Sequence, residues 1–559
     1  MSNYRQNTQS LSKKTQAATA QTVQTPGTVE NSAGGFVYEL DKWDRLNRFL
    51  ILGSDSPTYY ASAKTLSVEN AKCVLECAKE DGIRLVKTIV DISHSGRAIK
   101  NTPALFALAL ASSVEDVNTK REALRNLSKV ARTGTHLFEF ANFVDGLRGW
   151  GYGLRNAFSH WYNDMDADRL ALQVVKYPQR VTEEGNSKSS WSHDDLLRKS
   201  HPKGDKNHNM IYDFVTKEGK LPKKVPVELK ILQGATEVKA ASSAKEVAAI
   251  VEKYELPHEL VPKEYANSPE VWEALIPNMP ITATLRTLNR MTSYGVLKPL
   301  SSNLKTIVDR LLNVEQIKNG RVHPISVLSA LKTYAQGRGM KGSLTWTPIA
   351  RINDALNEML YLAFDQVEPT GKNLLLGIDI SGSMDSGTIG GLNGVTPREA
   401  AAVMAMVTAR SEPNHYAIGF TASGGSYYGG NYGVTPLDIS PRDRLDVVVQ
   451  KMQRMPMGRT DCALAVMHAY TNKLDVDGFV VYTDNETYAG SIKPQEALNK
   501  FRKERNPQAK LVAVGMTATE FTIADPNDAG SLSVVGFDTS APAVISDFFR
   551  TPFRTKKAR

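Results

Sequence analysis

The stretch Gly371-Lys-Asn-Leu-Leu-Leu-Gly-Ile-Asp379-Ile-Ser381-Gly-Ser383-Met384 constrains this chain more than any other. Leu374 to Ile378 is a continuous apolar run, too short for a helix and suited to a strand buried on both faces. It ends at once in Asp379, Ser381 and Ser383, spaced by two. A buried parallel strand delivers its C-terminal end to the rim of the sheet, where doubly wound folds place their ligands. One carboxylate and two hydroxyls on a tight turn there supply hard oxygens to one side of an octahedral cation. The remaining positions stay open for water or a partner's oxygen, the usual binding mode of Mg²⁺. Taken alone, the spacing also fits an ordinary Ser-rich loop.

Two later elements favour the metal. Gly458-Arg459-Thr460-Asp461 precedes a helical run and brings the Thr460 hydroxyl within range, and strand-like 479–483 ends in Asp484. Asp379, Ser381, Ser383, Thr460 and Asp484 arrive in that order on three strand ends. The set resembles the metal-ion-dependent adhesion site of von Willebrand factor A domains. Arg459 departs from it, since those domains usually carry Gly before the Thr; a cation here either weakens metal affinity or helps hold an anion.

The chain's 559 residues allow two to four domains. Its net charge of +9 is uneven: residues 366–559 carry 20 basic and 20 acidic side chains, so the whole excess lies in residues 1–365. Either that first part meets a polyanion or it is simply a basic soluble surface. Three cysteines argue for a reducing compartment without a disulfide framework. Cys73 and Cys77 have no second pair beside them, which points to packing rather than zinc. The longest apolar stretch, residues 104–111, is far short of the ~20 residues of a membrane span. The expected setting is soluble and cytoplasmic.

Residues 1–34 are rich in Gln, Thr, Ser and Ala, with almost no large apolar side chains, and are expected to be a disordered tail. Residues 35–365 then read as helix after helix: 41–52, 68–79, 83–95, 102–112, 119–130, 135–148, 269–276 and 280–291. Pro269 and Pro280 mark first helical positions. The breaks are too short for parallel-strand crossovers, so stacked helix pairs are expected, without a clean sequence period. From 366 to 559 strands and helices alternate, as in a parallel sheet covered on both faces. Gly-rich loops at 386–395 and 423–432 either overhang the metal rim or have no role.

Further stretches resemble the Ro autoantigen family, TROVE-domain ribonucleoproteins that bind small non-coding Y RNAs. They include Arg45-Leu-Asn-Arg-Phe-Leu50, Thr135-His-Leu-Phe138, Trp161-Tyr-Asn163, Trp191-Ser-His193-Asp-Asp-Leu-Leu-Arg198-Lys-Ser-His201, Val271-Trp-Glu-Ala-Leu275, Glu368-Pro-Thr-Gly371, Thr483-Asp-Asn-Glu-Thr487 and Gly536-Phe-Asp538. The resemblance runs from about residue 36 to 550. It implies a multidomain chain: an α-helical HEAT-like repeat ring, followed by a doubly wound α/β (von Willebrand factor A, Rossmann-like) domain. It also implies that misfolded RNAs insert a single-stranded 3′ end into a positive hole. Y RNA lies on the outer surface and in bacteria tethers polynucleotide phosphorylase, a 3′ exoribonuclease. The chain itself is expected to be monomeric.

The region resembling the Y RNA surface holds Lys176, Arg180, His193, Arg198, Lys199 and His201. His193, at a helix start, either stacks on a base or meets phosphate, or else pairs with Asp194 or Asp195. Arg132, Arg148 and Arg155 flank helical hairpins and are candidates for the hole. No catalysis is expected. A phosphohydrolase with Asp379 as nucleophile needs a second Asp two residues on, and Ser381 stands there instead. A metal-dependent adhesion or scaffold protein without RNA function is the competing reading.

Overall fold

The computed structural model describes residues 19–53, 71–177, 191–339, 343–364, 368–386, 395–422 and 433–552, with Val68 and Ile389. Arg180 and the Gly-rich loop centres fall outside the described residues, as do residues 1–18 and the basic residues 554–559.

From Lys42 to Leu362 the described elements are helical. Helices start where a short polar side chain can take a free backbone N–H. Asp41 accepts from Asp44, Asp116 from Thr119, Asp205 from His208 and Ser301 from Leu304. Pro269 and Pro324 open others at the first turn, whereas Pro280 is the cap before Ile281 rather than the first helical residue. The two helices expected at 68–79 and 83–95 run together as Lys72–Ser95, bent at Asp81, whose backbone is non-helical. Lys42–Leu52 packs on Lys72–Ser95, which packs on Thr102–Ala111, and neighbour follows neighbour to Pro324–Ala335 and Ala350–Leu362. The array then meets its own beginning. Arg321 Nε donates to the His94 carbonyl at 2.7 Å, across 227 residues of chain.

The C-terminal region is a six-stranded sheet built from β3 (Leu374–Asp379), β4 (His415–Phe420), β5 (Val434–Pro436), β6 (Gly478–Thr483), β7 (Lys510–Gly515) and β9 (Ser531–Val535). The order is β5-β4-β3-β6-β7-β9, parallel throughout except for β5. Alternation decides which core each side chain joins. Leu374, Leu376 and Ile378 enter a cluster continuous with the helical array, whereas Leu375, Phe479, Val481 and Leu511 pack with the helices Leu464–Thr471 and Pro494–Glu504. The strand order reverses about β3, which leads to β4 on one side and has β6 on the other; that is a topological switch point.

The expectation of a disordered tail over 1–34 is corrected from Thr19 onward. β1 (Thr28–Glu30) and β2 (Phe36–Glu39) form a three-stranded antiparallel sheet with β8 (Phe521–Thr522). Apolar content did not foretell this order, because hydrogen bonds to residues more than 400 positions away supply it. The two regions are also joined by buried polar groups. Arg48, fully enclosed, donates to the Thr519 and Phe521 carbonyls at 2.9 Å each. Arg97 pairs with Asp538 at 2.5 Å, and Lys332 with Glu399 at 2.5 Å. Among the described residues no helix is long and apolar enough to cross a membrane.

Candidate metal centre and nucleic-acid interface

Asp379 is the last residue of β3 and Asp484 immediately follows β6, the adjacent strand, so both carboxyls reach the sheet rim side by side. Both are fully buried. Asp379 accepts from the Ser381 amide at 2.9 Å and from the Thr483 hydroxyl at 2.7 Å. Ser381 and Ser383 hydroxyls lie 3.0 Å apart, and Ser383 faces Asp484 closely enough to favour its charged form. Thr460 sits on the neighbouring arm, its carbonyl accepting from Tyr488 and Ala489 at 3.1 and 3.0 Å. Among the described residues its buried hydroxyl has no hydrogen-bond partner, and neither has one oxygen of Asp484.

Burial, then the Asp379 charge, then Glu486 push the Asp484 carboxyl well above the usual carboxylate range, and burial raises Asp379 as well. Two buried carboxyls beside the Ser381 and Ser383 hydroxyls, with Thr460 on the neighbouring arm, form a set of hard oxygen donors. The residues fit a small divalent cation. Sequence reasoning missed Arg398, in the first turn of the helix Pro397–Ser411. Its enclosed guanidinium donates to the carbonyls of Ile380 and Ser381 at 2.8 and 3.3 Å and lies 3.0 Å from Asp385, fixing the loop from below. Its only signal in the sequence was its place beside a helix-opening proline.

The candidate RNA residues separate. His193 is fully buried, which corrects its assignment to a surface contact. Nδ1 lies 2.8 Å from the Tyr162 hydroxyl, and the ring packs against Phe138 and Trp161. Burial pushes its pKa down to about 3, so it is a neutral core residue. It does not pair with either neighbouring carboxylate: Asp194 bonds Arg198 and Asp195 closes the capping box with Ser192. The helical stripe of buried His193, Leu196, Leu197 and Ser200 was the signal for this.

Arg198, Lys199 and His201 emerge at the exposed end of the same helix. The Lys199 ammonium lies 4.8 Å from the Trp150 ring and 5.3 Å from Trp191. Lys176 is half-buried in an ion pair with Glu259 at 2.9 Å.

Arg132 lines a cavity of about 650 Å³ where the end of Lys72–Ser95 and the start of Thr102–Ala111 face Ile281–Ser293 and Pro324–Ala335. Lys100, Arg286 and Arg321 line it too, and among the described residues none that lines it is acidic. Burial, and then the charge of Arg321, push Arg132 down to about 10. Arg148, bonded to the Ser112 carbonyl at 2.5 Å, and Arg155 do not line this cavity. Sequence reading missed Lys100, Arg286 and Arg321, because only the closure of the array brings residues so far apart in the chain together.

Comparison with known proteins matches residues 29–333 to a model described as the TROVE domain, and residues 373–549 to one described as the Ro60 vWA domain. The chain is 40% identical over 525 residues to RNA-binding protein RO60 of Deinococcus radiodurans, covering 93% of this chain and 95% of that one. It is 32% identical over 600 residues to RNA-binding protein RO60 of Caenorhabditis elegans, covering 93% and 90%. Among solved structures it is similar to the Deinococcus radiodurans RO (RSR) protein, with a TM-score of 0.68, 39% identity, and 91% and 99% of the two chains covered.

Proposed function

Since the chain belongs to the Ro family of TROVE-domain proteins with a von Willebrand factor A domain, we propose that it binds RNA as the protein core of a small non-coding RNA particle. The cavity lined by Lys100, Arg132, Arg286 and Arg321, with no acidic side chain among the described residues that line it, carries the reading. Four cations without a carboxylate among them call for an anion, and phosphate is the anion an RNA offers. A volume of about 650 Å³ suits a drug-sized ligand, or a nucleotide or two of single strand. The cavity therefore takes the single-stranded 3′ end of a structured or misfolded RNA. Arg198, Lys199 and His201 belong to the outer surface that takes a Y-like RNA, with Lys176 and Arg180 contributing. That RNA tethers a 3′ exoribonuclease such as polynucleotide phosphorylase. The protein works by binding in the cytoplasm, as a monomer, and the degradative chemistry is its partner's.

At the sheet rim, Asp379, Ser381, Ser383, Thr460 and Asp484 hold a divalent cation, in the first place Mg²⁺. The orphaned Thr460 hydroxyl and Asp484 oxygen support it. A cation held there would supply positive charge to the buried carboxyls and Lewis acidity toward a partner's oxygen. Binding to a tailed RNA measured against salt tests the RNA reading. With about six phosphates neutralised, affinity falls by roughly three decades between about 50 and 200 mM salt. An affinity that does not move with salt overturns it.

A further inference from the structure

The segment from Thr19 to Gly35 crosses the rim of the metal centre, and its contacts concentrate on the two arms that carry Thr460 and Asp484. Gln21 is fully buried. Its Nε2 donates to Asp461 Oδ1 at 2.7 Å and to the Ile492 carbonyl at 2.9 Å. Its Oε1 accepts from the Thr487 hydroxyl at 2.6 Å, and that hydroxyl in turn accepts from the Cys462 amide at 3.0 Å. One carboxamide thus joins the residue after Thr460 to the third residue after Asp484, using three of its four hydrogen-bonding positions. The fit is close: a Cβ at Gly490 would collide with both the Gln21 amide and the Asp461 carboxylate.

Asn31 makes a second anchorage. Its Nδ2 donates to the carbonyls of Thr487 and Asn485 at 2.8 and 3.3 Å, and the Ala33 amide donates to Glu486 at 3.0 Å. Asn485, which directly follows Asp484, is left-handed at φ 65. The strap therefore holds a strained turn in place beside a candidate ligand.

Resting on the divalent-cation reading of the rim, we propose that Gln21 is a positioning residue of the metal centre, by which the N-terminal strap locks the Thr460 arm to the Asp484 arm and so sets cation affinity. Without the carboxamide, the Asp461 carboxylate loses a donor and the Thr487 hydroxyl its acceptor. Both arms are then free to relax away from the cation. Ligands must be held within about 0.5 Å of their working geometry, and loss of a supporting hydrogen bond costs about 10–100-fold in metal affinity.

The experiment is calorimetric titration of the full chain with Mn²⁺. Wild type, Gln21→Ala and Thr25→Val are compared; the last removes the strap's bond to Lys493, which lies off the metal arms. Gln21→Ala is expected to bind at least about tenfold more weakly, with Thr25→Val within about twofold of wild type. Gln21→Asn keeps the amide but cannot span both arms, and gives the same loss should the alanine variant not fold. Wild-type affinity in both Gln21 variants, or an equal loss in Thr25→Val, overturns the role of Gln21 and leaves the metal centre standing. A wild-type protein that takes no Mn²⁺ overturns the metal reading itself, and the strap's role with it.

Discussion

His193 offers the sharpest test of the helical region, because its environment predicts a pH dependence of definite sign and size. The native state holds the imidazole neutral, with its pKa pushed down to about 3 by burial, whereas in the unfolded chain it returns to the ordinary value near 6.5. A base whose proton the native state disfavours gives its full stability above the unfolded pKa and loses it as pH falls below. From about pH 7.5 to about pH 5, the loss is about 1.36 kcal/mol times 1.5 units, or about 2 kcal/mol. His193→Asn removes the titration and keeps an acceptor for the Tyr162 hydroxyl. Urea unfolding of both proteins at the two pH values, followed by tryptophan fluorescence, reads the difference. Trp161 lies 6.1 Å from the imidazole and reports its surroundings. Buried His136 and His323 titrate in both proteins and cancel. Wild type is expected to lose about 2 kcal/mol more than the variant on acidification. Equal losses would falsify the assignment of a buried neutral imidazole.

Asp379→Ala removes the carboxylate of the metal loop and is expected to abolish Mg²⁺ binding in calorimetry while filter-binding affinity for tailed RNA stays within about twofold; retained metal binding refutes the site. Arg132→Ala combined with Arg321→Ala is expected to make the salt dependence of tail binding shallower by about two in log–log slope, and an unchanged slope places the RNA elsewhere. Gly35→Ala drives a Cβ into the Thr487 carbonyl and should cost about 1–3 kcal/mol in a thermal or urea melt; a neutral result means the strap is not held there.

The central strand was legible because a strand buried on both faces must be uniformly apolar, and Asp379 and Asp484 at the ends of adjacent strands marked the sheet rim as the candidate site. Helical period likewise revealed the array, and family motifs its kind. Three things were not legible, each for a physical reason. The strap is polar, and its order comes from hydrogen bonds such as Gln21 to Asp461, which no local pattern records. His193 looked like a surface residue because histidine is read by chemistry first, although its spacing with Leu196 and Leu197 placed it on the inward stripe. The basic cavity needs helices from early and late in the array to face one another, so Lys100 and Arg321 carry no signal until the fold is formed. Short strands such as β5 and β8 are simply below the length at which alternation can be seen.

The pairing of β2 with β8 has a consequence for how the protein is made. Glu39 faces Phe521 in that ladder, so a strand that leaves the ribosome early must wait for about 480 further residues before its partner exists. At about 5–20 residues per second, that wait is roughly 25 to 95 s. Throughout it β1 and β2 present an unpaired hairpin edge to every nascent chain nearby. The synthesis of β8 ends the exposure, and strands made before the helical array complete a sheet with one made after it. A fragment produced from residue 366 onward would reverse the problem, leaving β8 bare and the rim without its clamp.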